Sequence, residues 1–470
     1  MAKKDIGRTP LWNQAQTTRG CCPFVHYSDS ATVALFWDAA PILGRCSKDP
    51  LRAQMPQSAE LAKMRLVVQK YGGSSLATVE QIMSIADRVV ETKRMGNDLI
   101  VVVSAMGDTT NELLDLATKV SRSPSSRELD MLLTAGERIS MALLSMAIND
   151  RGCEAISFTG SQSGIITDSK HTRARILDVK AFRISEELDK NRVVIVAGFQ
   201  GVSSSREVTT LGRGGSDTTA VALASAFGAR ECEIFTDVEG VFSADPRVVG
   251  EAKKLDSISF EEMLELSASG AGVVHHTAVE LAYKYNVPLH VRSSFSSERG
   301  TMVTGNSITD TRNVRGIAHT RGMILARLSG IAKVNEATSS LFKRLEEAGV
   351  EVKLFSESLV PSCEGTLLFV APESDRTPLA EACQSVLDEL GGKLELVSGV
   401  GLVSIVGSNL LWAAGTCSET FLTLASLGIQ PYAASGTAIT LSCLVPEDKL
   451  AQAVRALHRV FIEESPMSSA

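Results

Sequence analysis

Leu66-Val67-Val68-Gln69-Lys70-Tyr71-Gly72-Gly73-Ser74-Ser75 is the stretch on which the fold turns. A short apolar run closes on adjacent glycines, and Val79, Ile82, Ile85, Ala86 and Val89 then recur at helical spacing. That order predicts strand, glycine turn, helix. The unit repeats downstream: Leu99 to Val103 is an all-apolar strand, Ser104 to Thr109 a turn, and Asn111 to Val120 helical. Val193 to Ala197 and Glu233 to Phe235 are further buried-strand candidates, with a helix from Thr218 to Phe227 between them. Alternation of this kind implies a mainly parallel sheet covered by helices, with ligands at the carboxyl ends of the strands.

At 470 residues the chain exceeds one hydrophobic core, so several domains of roughly 150 residues are expected. Hydrophobic residues at 44% and charged residues at 21% exclude a mostly disordered or fibrous chain. A net charge of −7 gives no electrostatic reason to expect nucleic acid or an anionic membrane as partner, and no apolar run reaches the roughly 18 residues that span a bilayer. Small-molecule substrates and a cytoplasmic location follow as expectations. The nine cysteines form no CxxC pair and no zinc-spaced cluster, so reduced, mostly buried thiols and no protein-bound structural metal are expected.

Residues 1–63 hold Trp12, Trp37, Cys21, Cys22 and Cys46 without a sustained period. They read as a poorly ordered extension, with an upstream mis-assigned start and Met64 as the working start the alternative. A polar stretch from Thr301 to Arg315 marks a linker. Beyond it Leu367 to Val370 and Leu441 to Val445 are each followed by an acidic turn and an amphipathic helix, 75 residues apart from Val370 to Val445, which suggests two tandem βαββαβ-like modules.

Several stretches carry residues suited to chemistry. The adjacent glycines after Lys70 let backbone N–H groups approach a phosphate, and the lysine supplies a point charge; by itself, such a turn is more often a structural device. Gly212-Arg213-Gly214-Gly215-Ser216-Asp217 combines a backbone nest with a guanidinium and a carboxylate. Ser216 or Asp217 as a simple helix cap is the competing reading, but a cap leaves Arg213 and the glycines unexplained. Thr236 to Arg247 follows a strand and offers Asp237, Phe242 and Arg247 to a nucleotide, or forms an ordinary Asp-Gly and Asp-Pro turn. Glu137 sits among Leu132, Leu133, Ile139 and Leu143; it either meets a substrate ammonium or belongs to a solvated face beside Arg138. No Walker lysine motif and no protein-kinase catalytic loop occurs.

Taken in order and spacing, Lys70 to Ser75, Ser104 to Thr110, Gly136-Glu137-Arg138, Gly212 to Asp217 and Thr236 to Arg247 resemble the aspartokinases, and the resemblance runs from about Arg65 to Phe461. It implies an α/β amino-acid-kinase fold, a mainly parallel sheet sandwiched by helices, followed by two ACT-like α+β modules. It implies ATP, with Mg2+, as phosphoryl donor and the β-carboxylate of L-aspartate as acceptor, giving 4-phospho-L-aspartate, the entry to lysine, threonine and methionine.

By motif position, Lys70, Arg213 and Asp217 are the catalytic residues, and Lys70, Gly72, Gly73, Ser104 and Ser216 line the phosphate path. Thr236, Asp237, Phe242 and Arg247 hold the nucleotide. Thr110, Glu137, Arg213, Gly214, Gly215, Ser216 and Asp217 hold aspartate. A homodimer through the ACT-like modules is also implied. The expected division is 64–300 catalytic, 301–315 linker, 316–395 first module and 396–464 second module.

The sequence departs from its relatives at named positions. Gly272 stands in Gly270-Ala271-Gly272-Val273 where many relatives carry a nucleotide-contacting lysine, and Phe242 replaces the usual tyrosine. In the regulatory half, Lys333-Val334-Asn335-Glu336 replaces an Asp-x-Pro-Gly loop, Ala413-Ala414-Gly415 replaces His-Pro-Gly, and Thr437-Ala438-Ile439-Thr440 replaces Ser-Glu-Ile-Lys. The competing functions are a kinase for another acidic amino acid and an inert amino-acid sensor.

Overall fold

The strands that read as continuous apolar runs occupy the middle of a sheet buried on both faces, which is why they show no alternation. The computed structural model describes residues 65–305, 313–358, 365–410 and 414–464. The expected extension lies outside these residues, as do positions 306–312 of the expected linker and Ala413 of the Ala413-Ala414-Gly415 turn.

In chain order the first part comprises β1 (Leu66–Tyr71), α1 (Val79–Arg94), β2 (Asp98–Val103), α2 (Thr109–Val120), α3 (Ser126–Leu133), α4 (Ala135–Asp150), β3 (Ala155–Phe158), β4 (Ile165–Thr167) and β5 (Ile176–Val179). It continues through α5 (Phe182–Asp189), β6 (Val193–Ala197), β7 (Gln200–Ser203), β8 (Val208–Thr210), α6 (Gly215–Phe227), β9 (Glu231–Thr236) and β10 (Ser257–Ser259). It closes with α7 (Phe260–Ala268), α8 (His276–Tyr285), β11 (Leu289–Ser293) and β12 (Thr301–Thr304). Eight strands form one sheet in the order β10-β12-β11-β9-β1-β2-β6-β3, and only the β11–β12 pairing is antiparallel. A side sheet runs β5-β4-β7-β8.

All five residues of β6 and the last five of β2 are buried, each large apolar side chain contributing about 1.5–3 kcal/mol. Helix α1 buries Ile82, Ile85, Ala86, Val89 and Val90 and starts on a capping box in which the Thr78 hydroxyl accepts the Gln81 N–H and the Gln81 side chain accepts the Thr78 N–H. Helices α3 and α4 form a nearly continuous apolar stretch, Ser126–Asp150, half of whose most apolar window is buried in the fold, and α4 packs on α1, β3 and β6. That packing accounts for its hydrophobicity.

Two expected boundaries move. Thr301–Thr304, assigned to the linker, is strand β12 of the eight-stranded sheet: Thr301 is buried and donates to the Leu255 carbonyl, and a four-residue Thr-Met-Val-Thr run that buries only Thr301 and Val303 is too short to stand out from the polar stretch around it. The helix expected from Thr218 begins at Gly215.

The second part comprises β13 (Val314–Ile331), α9 (Val334–Ala348), β14 (Leu354–Ser358), β15 (Gly365–Pro372), α10 (Arg376–Leu390), β16 (Lys393–Gly407), α11 (Ala414–Ser426), β17 (Ala433–Gly436), β18 (Thr440–Pro446) and α12 (Glu447–His458). They build one six-stranded sheet, β14-β15-β13-β16-β18-β17. The strands and acidic turns expected at Leu367 and Leu441 are present, but a cut at 395/396 falls inside β16. Val314 to Thr320 pairs with the end of β16, and Met323 to Ser329 with its beginning, so β13 and β16 are shared between both modules. Register shifts between Thr320 and Leu325 mark the junction. The halves keep separate cores, Ile324, Leu341, Phe369 and Leu379 in one and Ile405, Leu441, Val445 and Leu457 in the other.

Candidate active site

Strand β1 lies between β2, which leads the chain to one side of the sheet, and β9, which returns on the other, so the carboxyl ends of β1 and β9 form a topological switch point. Gly72 and Gly73 follow β1, Asp237, Phe242 and Arg247 follow β9, and Arg213 to Asp217 follow β8. Lys70 is the penultimate residue of β1. Its ammonium lies 2.6 Å from the Asp217 carboxylate on the first turn of α6, with the two side chains only 12% and 10% exposed. The second Asp217 oxygen accepts the His275 N–H at 3.3 Å.

The glycines let these segments converge. Gly73 accepts the Gly107 N–H, and a Cβ on Gly73 would lie 2.9 Å from the Ala105 carbonyl, so the turns after β1 and β2 touch only because Gly73 lacks one. Gly72 donates to the Phe235 carbonyl of β9, and Ser104 donates to that of Tyr71. At Gly214 the backbone is left-handed, φ 70°, and a Cβ would collide with the His275 ring. Gly214 is the N-cap of α6, and neither Ser216 nor Asp217 caps the helix through its side chain. The capping alternative is therefore not adopted: Asp217 is committed to Lys70 and His275, while Gly215 and Ser216 are buried in the same turn.

Glu137 is 3% exposed, which removes the solvated-face reading. One oxygen accepts the Ala105 N–H at 3.2 Å; the other has no partner. Burial pushes its pKa up to about 7. A buried acid with an unused oxygen is suited to receive a cation. Arg213 is exposed and makes no ion pair with any described residue, leaving its fork open to a ligand carboxylate. Thr110, half-buried, stands in the first turn of α2. Neither touches the Lys70–Asp217 pair.

The loop after β9 lines a cavity of about 410 Å3. Thr236, Asp237, Phe242 and Arg247 all face it. The Thr236 hydroxyl donates to Asp237, and Phe242 forms an antiparallel bridge with Lys254. Arg247, 90% exposed, is held by Asp245 through two hydrogen bonds of 3.0 and 2.9 Å. Gly270 to Val273 forms another wall, and a Cβ on Gly272 would enter open space.

Two contributors were missed from sequence. His275 touches both Gly214 and Asp217, and burial lowers its pKa; nothing but its place ahead of α8 could have signalled it. Ile317, Ala318 and His319 of β13 close the cavity from the second part of the chain, and no local pattern announces that contact. Among the described residues no three His, Cys, Asp or Glu side chains converge as a metal cage.

Residues 65–293 match the amino acid kinase family, and residues 403–461 match the ACT domain family. An aspartokinase of Mycolicibacterium smegmatis is 47% identical over 406 residues, covering 85% of this chain and 96% of that one. E. coli aspartokinase III solved in complex with aspartate and ADP, in its R-state, superposes with a TM-score of 0.73 at 26% identity over 85% of this chain and 100% of that one. The same enzyme in complex with lysine and aspartate, in its T-state, gives 0.66 at 27% identity over the same shares.

Proposed function

This chain belongs to the aspartokinases, and from that premise we propose how its residues divide the transfer of the ATP γ-phosphoryl group to the β-carboxylate of L-aspartate. A carboxylate oxygen attacks the γ-phosphorus, the bond to the β,γ-bridging oxygen breaks with its electron pair leaving on ADP, and 4-phospho-L-aspartate forms. Nucleophile and donor are both anions, so the protein's main task is to hold them together against their repulsion.

The observation that carries the assignment is the Lys70–Asp217 pair at the switch point, one strand from the cavity. Asp217 fixes the ammonium of Lys70 where negative charge grows on the transferring group, and the N–H groups after Gly72, with Ser104 and Ser216, line the phosphate path. Thr236, Asp237, Phe242 and Arg247 hold the nucleotide. Arg213 takes a substrate carboxylate and Glu137 the ammonium, with Thr110, Gly214 and Gly215 completing the aspartate pocket. Mg2+ would be held chiefly by phosphate oxygens and water, as is usual where protein carboxylates do not form a cage.

The product feeds lysine, threonine and methionine synthesis in this reading. The enzyme is cytoplasmic, in keeping with the free thiols of Cys153, Cys232, Cys383, Cys417 and Cys443. It is a homodimer through the ACT-like modules, where Phe421 and Leu422 of α11 are exposed. ATP-dependent hydroxamate formation across L-aspartate, L-glutamate and N-acetyl-L-glutamate tests the substrate. Aspartate is expected to dominate; preference for either glutamate compound, or no turnover, overturns the reading.

A further inference from the structure

The loop that lines the cavity is only half a loop of the catalytic domain. Ala244 and Val249 are buried in the core of the second module, alongside Ile317, Leu450 and Leu457. Between the cavity-lining Phe242 and Ala244 stands Ser243, 1% exposed, with every polar atom engaged. Its N–H donates to the Lys253 carbonyl at 2.8 Å, and its own carbonyl accepts the Ile317 N–H of β13 at 2.7 Å. Its hydroxyl accepts the Lys253 N–H at 2.9 Å and lies 2.9 Å from Nε2 of His458.

His458, the last residue of α12, is 0% exposed, and its Nδ1 lies 2.8 Å from a Glu463 carboxylate oxygen. A carboxylate accepts only, so Nδ1 carries a proton toward Glu463; in the neutral ring Nε2 is then the acceptor for the Ser243 hydroxyl. Lys253 adds a second tie, its ammonium donating to the Ile462 carbonyl at 3.2 Å. A chain thus runs from Glu463 at the surface through the buried His458 and Ser243 to the back of the cavity wall.

We propose that His458 is a positioning residue for the nucleotide: through Ser243 it fixes the backbone that presents Phe242 to ATP, so the regulatory half forms a structural part of the donor site. The inference rests on the cavity being the nucleotide site. Its consequence is selective, since nothing in the chain touches the Lys70–Asp217 pair or Glu137.

Full-length protein carrying Ser243→Ala, His458→Gln, both changes together, or Phe242→Ala would be compared for ADP binding, for the KM of ATP and of aspartate, and for Tm. Ser243→Ala deletes one hydroxyl and serves should the His458 variant not fold. Loss of one buried hydrogen bond should raise the ATP KM and the ADP Kd about fivefold in each single variant, with the aspartate KM within about twofold. The double variant should be no worse than the poorer single one, because both remove the same link. A lowered Tm with unchanged nucleotide affinity would show a merely structural chain and overturn the proposal. Weaker ADP binding in Phe242→Ala alone would overturn it while leaving the cavity assignment standing. No effect in any variant would remove the cavity assignment and the proposal together.

Discussion

Glu137→Gln separates what the buried acid costs the fold from what it gives the reaction. In the folded chain the carboxyl titrates at about 7 against an ordinary 4.5, because burial disfavours its charge. Between those values the unfolded chain has released a proton that the folded chain retains. Stability attributable to this group therefore falls as pH rises from 4.5 to 7 and stays low above 7. The full penalty at pH 8 is about 3 kcal/mol, and the neutral amide does not suffer it. Urea unfolding of parent and variant should show the variant gaining on the parent by up to about 3 kcal/mol between pH 4.5 and pH 8, with no further change at higher pH. Over the same comparison the variant's KM for aspartate at pH 8 should rise at least about thirtyfold, the lower bound for removing one partner of a desolvated charge pair. A stability difference that does not move with pH would refute the buried-acid argument; an unchanged aspartate KM would remove Glu137 from the substrate site.

Three further outcomes follow. Arg213→Lys keeps the charge but loses the fork, and should raise the KM for aspartate roughly tenfold and more than that for ATP; the reverse ranking would move Arg213 to the nucleotide. Lysine and threonine, alone or together, should inhibit weakly at millimolar concentration. Lys333 is exposed and paired with Glu336, and the Thr440 hydroxyl is spent on Glu265 of α7. A half-maximal response below about a millimolar, near −4 kcal/mol of binding, would show that other groups meet the effector's charges. Deleting residues 1–63 should leave turnover and Tm nearly unchanged, because β1, the first strand of the eight-stranded sheet, begins at Leu66 and is already paired on both sides by β2 and β9; inactive or insoluble protein starting at Met64 would show that the segment packs on the fold.

What could be read from the sequence was local. Leu99–Val103 and Val193–Ala197 announced themselves because strands buried on both faces need an unbroken apolar run, and Gly212–Asp217 because glycines, a guanidinium and a carboxylate have few other reasons to adjoin. The contacts that complete the site are long-range. Asp217 meets His275 58 residues later, and Ser243 meets His458 across 215. For Glu137 the sequence left a substrate contact and a solvated face beside Arg138 equally open, because what decides between them is contact with the turn after β2, where Ala105 donates to its carboxylate. The module boundary was misplaced for a related reason: β13 and β16 run through both modules, and a repeat found in β15 and β18 does not reveal that their central strands are shared.

The account's central claim is that Lys70, fixed by Asp217, stabilises the phosphoryl group in flight, and the turnover of Lys70→Ala tests it most directly. With hydroxamate formation measured at saturating ATP and aspartate, kcat should fall at least about a hundredfold, as on removal of a preorganised electrostatic group, while the KM for aspartate changes far less. A variant that turns over at near the parental rate would contradict the claim.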